Sequence, residues 1–203
     1  MANHVALVDY GAGNLQSVLN ALRAVGVQNV MVTADPDIVL SAERIILPGV
    51  GAFGHCMSNL SAIDGMIDAL NEATGPRARP FLGICVGMQL MGDAGEERGV
   101  TDGLGWVKGR VRAITSDDPS LKVPHMGWND VVPIGNHPLI EAGEAYFLHS
   151  YAFEGEDVLA NTDHGGQVVA AIGQDNRIGV QFHPEKSQQY GLKFLERFLK
   201  WKP

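Results

Sequence analysis

In Pro80-Phe81-Leu82-Gly83-Ile84-Cys85-Val86-Gly87-Met88-Gln89-Leu90-Met91 an apolar run passes directly into helix-like sequence. The run reads as a strand buried on both faces, and Val86 to Met91 read as the start of a helix. Cys85 sits at the junction, with Gly83 before it and Gly87 after it. Glycine permits a tight turn and the close approach of a substrate. The stretch therefore describes a strand delivering a thiol into a sharp turn, the logic of the serine elbow in hydrolases. A thiol there meets the unpaired N–H groups and the positive end of a helix, and both favour the attacking thiolate. A lone cysteine can also be a small buried hydrophobe, and this stretch alone leaves both readings open.

Upstream, strands and helices alternate. His4 to Asp9 is a short strand, and Asn14 is placed to cap a helix with Leu15, Val18, Leu19, Leu22 and Val25 at helical spacing, ended by Gly26. Val30 to Thr33 is a second strand, and a helical turn follows Pro36. Arg44 to Leu47 is a third strand, and a helix is expected over roughly Gly54 to Asn71. Such alternation implies a mostly parallel sheet flanked by helices.

Downstream, Trp106 to Ile114, Val123 to Val132, Ala145 to Tyr151, Val158 to Asn161, Val168 to Ile172 and Ile178 to Phe182 read as strands, joined by turns such as Ser116-Asp117-Asp118-Pro119. They are expected to add antiparallel strands to the central sheet. A closing amphipathic helix runs from Ser187 to Trp201. The fold class is α/β, with a mostly parallel central sheet, flanking helices and antiparallel additions in the second half. With 203 residues, 45% of them hydrophobic, one domain over 1–203 is expected.

The net charge is −8 and only 19% of residues are charged, with no Lys/Arg cluster. That composition argues against nucleic acid and anionic membranes as partners. The N-terminus shows no signal-peptide pattern, and no apolar run is long enough to span a bilayer. With Cys56 and Cys85 as the only cysteines, a reducing cytoplasm is the expected home. Cys56 reads first as packing, second as a reactive thiol.

Ligands of an open parallel sheet bind at the carboxyl ends of its strands. The loops Asp9-Tyr10-Gly11-Ala12-Gly13-Asn14 and Pro48-Gly49-Val50-Gly51-Ala52-Phe53 should therefore share an edge with the Cys85 turn. Gly11-Ala12-Gly13 lacks the third glycine of a dinucleotide fingerprint, and no cofactor is expected. A catalytic cysteine needs a base and a group to orient that base. Among the seven histidines, His183 stands at the end of the Ile178 to Phe182 strand, with Glu185 one proline further on. In extended backbone, residues two apart point the same way, and Pro184 biases His183 towards that backbone. Glu185 can then hold the imidazole tautomer, completing a triad of Cys85, His183 and Glu185. His125 and His149 stand as structural or site-lining. With no CxxC or HExxH pair, no metal site is expected.

The segments Gly83-Ile84-Cys85-Val86-Gly87-Met88-Gln89 and Phe182-His183-Pro184-Glu185 resemble the class I (triad-type) glutamine amidotransferases. Four more segments narrow the resemblance: Asp9 to Leu15, Pro48 to Phe53, Pro124-His125-Met126-Gly127-Trp128-Asn129 and Tyr146-Phe147-Leu148-His149-Ser150-Tyr151. Together they are similar to the glutaminase subunits of imidazole glycerol phosphate synthase, in histidine biosynthesis, from Asp9 to Ser187.

That resemblance implies a chemistry. L-Glutamine binds beside Cys85, His183 takes the thiol proton, and a thioester forms and is hydrolysed to glutamate. The oxyanion would be held by the N–H of Val86 and by Val50 or Gly51. Gly51, Gln89, Glu97 (in preference to Glu96), His149, Ser150 and Tyr151 would bind the substrate. Ammonia would pass through a sealed path into a (β/α)₈-barrel synthase subunit, which converts the phosphorylated nucleotide PRFAR to imidazole glycerol phosphate and AICAR. Asn14, Trp128 and Lys186 match positions at that partner's face. Three rivals stand beside this reading. They are a glutaminase for a pyridoxal phosphate or anthranilate synthase, a cysteine peptidase or esterase-like hydrolase, and a non-catalytic interaction subunit.

Overall fold

The computed structural model describes residues 4–115 and 121–203. The expected turn at Ser116 to Pro119, and Met1 to Asn3 of the N-terminal reading, lie outside the described residues. The first half alternates as β1 (Val5–Val8), α1 (Leu15–Ala24), β2 (Val30–Thr33), α2 (Pro36–Ser41), β3 (Arg44–Gly49), α3 (Phe53–Ser61), α4 (Met66–Thr74), β4 (Phe81–Cys85) and α5 (Val86–Gln89). The second half continues as β5 (Ala94–Gly95), β6 (Thr101–Asp102), β7 (Gly109–Ala113), β8 (His125–Pro133), β9 (Gly143–His149), β10 (Tyr151–Gly155), β11 (Val158–Asp163), β12 (Gln167–Gln174) and β13 (Arg177–Val180). A 3₁₀ turn at Pro184–Lys186 leads into α6 (Gln188–Lys200).

The main sheet has nine strands in the order β2-β1-β3-β4-β13-β12-β11-β8-β9. From β2 to β13 neighbouring strands are parallel; from β13 to β9 they are antiparallel. β1, β3 and β4 are buried along their whole length, as expected of strands covered on both faces. The antiparallel additions are present, but not all of them join the main sheet. β10, β7, β5 and β6 form a separate four-stranded sheet. β5 and β6 have two residues each, too few to leave a periodic signal in sequence.

Helix α1 begins as its sequence implies: the Asn14 side chain accepts the Ser17 N–H at 3.4 Å, and Gly26 follows the helix at φ +90°. The single helix expected over Gly54 to Asn71 is two, because Gly65 takes a left-handed conformation (φ +75°) and starts α4 afresh. The helix behind Cys85 is a single turn. The Cys85 thiol therefore meets the free N–H groups of one turn, rather than the macrodipole of a long helix.

What matters for the site is the centre of the sheet. β4 lies between β3 and β13, with Gly49 paired to Cys85 on one side and Val180 paired to Ile84 on the other. The three strand ends come together at one edge.

Candidate active site

Cys85 has φ +54° and ψ −112°, a backbone conformation that L residues rarely hold. Such strain persists only when the surroundings enforce it. Two glycines make the enforcement sterically feasible. A Cβ on Gly83 would lie 2.5 Å from the Gly87 carbonyl, and one on Gly87 would strike the carbonyl of Leu47. The turn is compressed against β3, and the sulfur is pushed out at the strand end.

Cys85 opens into a cavity of about 310 Å³, whose walls include Val50, Gly51, Val86, Gln89, Glu97, His149, Ser150, Tyr151, His183 and Lys186. Glu185 stands behind His183: its Oε1 accepts from His183 Nδ1 at 2.8 Å, with both side chains almost fully buried. Burial pulls the His183 pKa down. Hydrogen bonds and charge from Cys85 and Glu185 outweigh that pull and raise it from 6.5 to about 9. The imidazole is thus held in its charged form beside the thiol at neutral pH.

The Pro48 to Gly51 loop is pinned on its inner side. Tyr10 donates its hydroxyl to the Pro48 carbonyl at 2.8 Å, and Cys56 Sγ donates to the Val50 carbonyl at 3.4 Å. Cys56 is fully buried, and burial raises its pKa, which keeps it a thiol and a donor. Between the two held carbonyls lies the peptide that carries the Val50 N–H.

The two adjacent glutamates part company. Glu97 lines the cavity, and its Oε2 accepts the Phe53 N–H at 2.9 Å. Glu96 instead pairs with Arg110 at 3.3 Å and Arg112 at 3.1 Å. Gln89 is buried, and its Nε2 donates to the Tyr151 carbonyl and to Gln181 Oε1, both at 2.9 Å. With both amide protons committed, what Gln89 offers the cavity is its oxygen.

A neutral histidine pair backs the far wall. His149 Nδ1 donates to the Tyr151 carbonyl at 2.9 Å, so its Nε2 accepts from His125 Nδ1 at 3.1 Å. Burial is the main cause that lowers both, His149 to about 4 and His125 to about 3. His125 is thereby placed one layer behind the cavity wall rather than in it.

Asn14 and Trp128 lie outside the cavity lining. Asn14 caps α1, and Trp128 is 47% exposed on β8, edge-on to Tyr146 with ring centroids 6.3 Å apart. Lys186 lines the cavity mouth, with Nζ 5.8 Å from the centre of the Tyr146 ring. Gln181, which no motif in the sequence marks, also reaches the site: its Nε2 lies 3.6 Å from Cys85 Sγ. The available signal was a carboxamide inside an otherwise apolar run. No helix among the described residues is long and apolar enough to cross a membrane.

The chain belongs to the class I glutamine amidotransferases: the family profile described as Glutamine amidotransferase class-I matches residues 6–201. Its relatives narrow the class. It is 62% identical to the imidazole glycerol phosphate synthase subunit HisH of Zymomonas mobilis subsp. mobilis, over 98% of this chain and 96% of that protein. It is 51% identical to the HisH subunit of Rhodopseudomonas palustris, over 98% and 99%. Among solved structures, PurLQS from Thermotoga maritima matches with a TM-score of 0.74 at 20% identity, over 98% of this chain and 99% of that one. A second, described as a glutamine amidotransferase, matches with a TM-score of 0.73 at 18% identity, over 95% and 98%. These structures speak to the fold.

Proposed function

We propose that this chain is the glutaminase subunit of imidazole glycerol phosphate synthase, releasing ammonia from L-glutamine through Cys85. The observation that carries the reading is the Cys85 thiol held at φ +54° on a cavity, beside a His183 whose Nδ1 is 2.8 Å from Glu185. The synthase subunit named for its relatives at 62% and 51% identity favours this partner over a pyridoxal phosphate or anthranilate synthase.

The substrate's α-ammonium meets acceptors: the Glu97 carboxylate, with Oε1 left over from the Phe53 contact, and the Gln89 carbonyl oxygen. Gly51 and the His149 to Tyr151 segment close the other side. The thiolate attacks the side-chain amide carbon, and the carbonyl π pair moves to oxygen. That oxyanion takes the Val86 N–H and, on rotation of the peptide between the pinned Pro48 and Val50 carbonyls, the Val50 N–H. A donor of this kind contributes about 10²–10³ in rate. Collapse breaks the C–N bond, and His183 gives its proton to the leaving ammonia. The neutral imidazole then takes a proton from water, which attacks the thioester. Glutamate leaves, and the thiolate–imidazolium pair is restored.

Ammonia must avoid bulk water to stay nucleophilic. Leu148, which lines the cavity, is also 37% exposed, and the exposed face continues across β8 through Met126 at 65% and Trp128 at 47%. This apolar strip beside the cavity mouth, with Lys186 next to it, is where the barrel subunit would dock and use the ammonia to convert PRFAR to imidazole glycerol phosphate and AICAR; Asn14 stays a contact that the family resemblance alone implies. Partner binding would turn the Val50 peptide into place, so the chain alone should hydrolyse glutamine slowly. The test is a glutaminase assay with and without the barrel subunit and its nucleotide, on wild type and Cys85→Ala. Cys85→Ala should lose glutamine turnover and keep synthesis from added ammonia. Glutamine hydrolysis that survives the substitution removes Cys85 as nucleophile.

A further inference from the structure

Gln181 sits between two buried apolar residues, Val180 and Phe182, just past the end of β13, and is 0% exposed. A buried carboxamide costs free energy unless its donors and acceptor are matched. The matching here also fixes which way round the amide lies.

The order of donors begins at the Tyr151 carbonyl, an atom that can only accept. Gln89 Nε2 lies 2.9 Å from it, so Gln89 must present its NH₂ there. The same nitrogen lies 2.9 Å from Gln181 Oε1, so that atom is the acceptor and the Gln181 NH₂ faces the other way. It faces Cys85 Sγ at 3.6 Å. The strand register explains the contact: Val180 pairs with Ile84, and Gln181 comes one residue beyond, beside Cys85. Gln181 is also anchored by its main chain, whose N–H donates to the Ala170 carbonyl at 2.9 Å.

An N–H aimed at sulfur interacts unequally with the two states of the thiol. A thiolate accepts a charge-assisted hydrogen bond, which is roughly twice as strong as a neutral one. A donor locked in place before the reaction has no reorganisation to undergo when charge is present. We propose that Gln181 is a positioning residue for the nucleophile, its carboxamide locked by Gln89 so that one N–H holds the Cys85 sulfur and favours thiolate over thiol. This rests on the reading of Cys85 as the nucleophile. It gives Gln89 a second duty, since its oxygen faces the substrate cavity while its nitrogen sets the donor on the sulfur.

The experiment follows alkylation of Cys85 by iodoacetamide against pH in the full-length chain, with the modified peptide quantified by mass spectrometry to separate Cys85 from Cys56. Gln181→Met keeps the bulk and removes the donor. The midpoint for Cys85 labelling should rise by about one pH unit, a tenfold loss of thiolate on the acid side. Gln181→Glu keeps the shape but brings a carboxylate to the sulfur, and should raise the midpoint further. In the complex with the barrel subunit, kcat for glutamine should fall in both variants, and in Gln181→Glu, which still accepts from Gln89 Nε2, KM should stay within about twofold. A labelling midpoint unchanged from wild type in both variants overturns the proposal.

Should neither variant fold, the wild-type chain answers by ¹⁵N NMR of its glutamine side chains. The Gln181 amide protons should shift along the ionisation of Cys85 and stay still in Cys85→Ser; no shift in the wild type overturns the proposal. Labelling reads the sulfur whatever the substrate is. A chain that shows the midpoint shift but leaves glutamine intact would overturn the proposed function and not this role.

Discussion

Glu185 Oε1 lies 2.8 Å from His183 Nδ1 across a single intervening proline, with the two side chains 1% and 3% exposed. Hydrogen bonding to and charge on the Cys85 sulfur, together with that contact, raise the imidazole pKa against the pull of burial to about 9. Glu185→Gln removes the charge and leaves the shape. The His183 pKa then falls, and the alkaline limb of kcat/KM for glutamine moves from near pH 9 to lower pH. The rate at neutral pH drops by about 10²–10⁴-fold, the scale of general acid–base catalysis. Steady-state kinetics of the complex over pH checks this, and a limb that stays in place refutes it.

Glu96 and Glu97 test the cavity wall from adjacent positions. Glu97→Gln keeps an acceptor for the Phe53 N–H but loses the charge that, in the proposed site, meets the substrate's ammonium. KM for glutamine should rise by about 10- to 100-fold, the worth of a hydrogen bond to a charged group. Glu96→Gln loosens exposed pairs with Arg110 and Arg112, and KM should move by less than about twofold. Equal effects from the two substitutions would place the ammonium elsewhere.

Gly87→Ala reverses a usual sign. Alanine normally favours a helix over glycine by about 1 kcal/mol. Here its Cβ would strike the Leu47 carbonyl of β3. Overpacking of that kind costs about 3 kcal/mol, or some 6–12 °C in melting temperature for a chain of this size. Thermal unfolding followed by circular dichroism reads the difference. A more stable variant would mean that the elbow is not compressed.

Stability should fall on both sides of a window near pH 6.5. His125 and His149 have folded pKa values depressed to about 3 and 4. Below pH 6.5 the unfolded chain takes up protons that these buried rings refuse, so stability is lost as pH falls. His183 has the opposite sign: its raised pKa stabilises fully below pH 6.5, and the benefit fades as pH rises through about 9. Melting temperatures should drop from pH 7 to pH 5, with a shallower slope in His125→Gln. A flat profile in that range contradicts the buried neutral pair.

If the exposed strip on β8 and β9 is the docking face for the proposed barrel subunit, Trp128→Ala should weaken that association by about 2 kcal/mol, roughly 30-fold in Kd. Calorimetric titration of the two subunits measures it directly, and an unchanged Kd moves the interface off β8.

Local chemistry carried much of this in plain view. The apolar run into Cys85, its flanking glycines and the His183-Pro184-Glu185 spacing each constrain backbone within a few residues, so the elbow and the contact between His183 and its carboxylate were legible. So were the Asn14 cap and the strand–helix alternation, which follow from helical periodicity and a polar oxygen at the right place. The break between α3 and α4 was less legible, because Gly65 acts through one left-handed dihedral inside an otherwise helical pattern. β5 and β6 left no trace, being held by their neighbours rather than by their own residues.

By itself, then, the sequence determined that a thiol stands at a strand–helix turn, that a histidine with an orienting carboxylate ends another strand, and that the sheet is parallel where those strands lie. Only the tertiary structure decided which side chains complete the site. Glu97 and not Glu96 faces the cavity, because the Phe53 N–H at the start of α3 draws one inward and Arg110 and Arg112 hold the other outside. Gln181 reaches Cys85, 96 positions earlier in the chain, because β13 lies in parallel register with β4. Register between strands is a long-range quantity set by how the whole sheet packs, and no local pattern of residues encodes it.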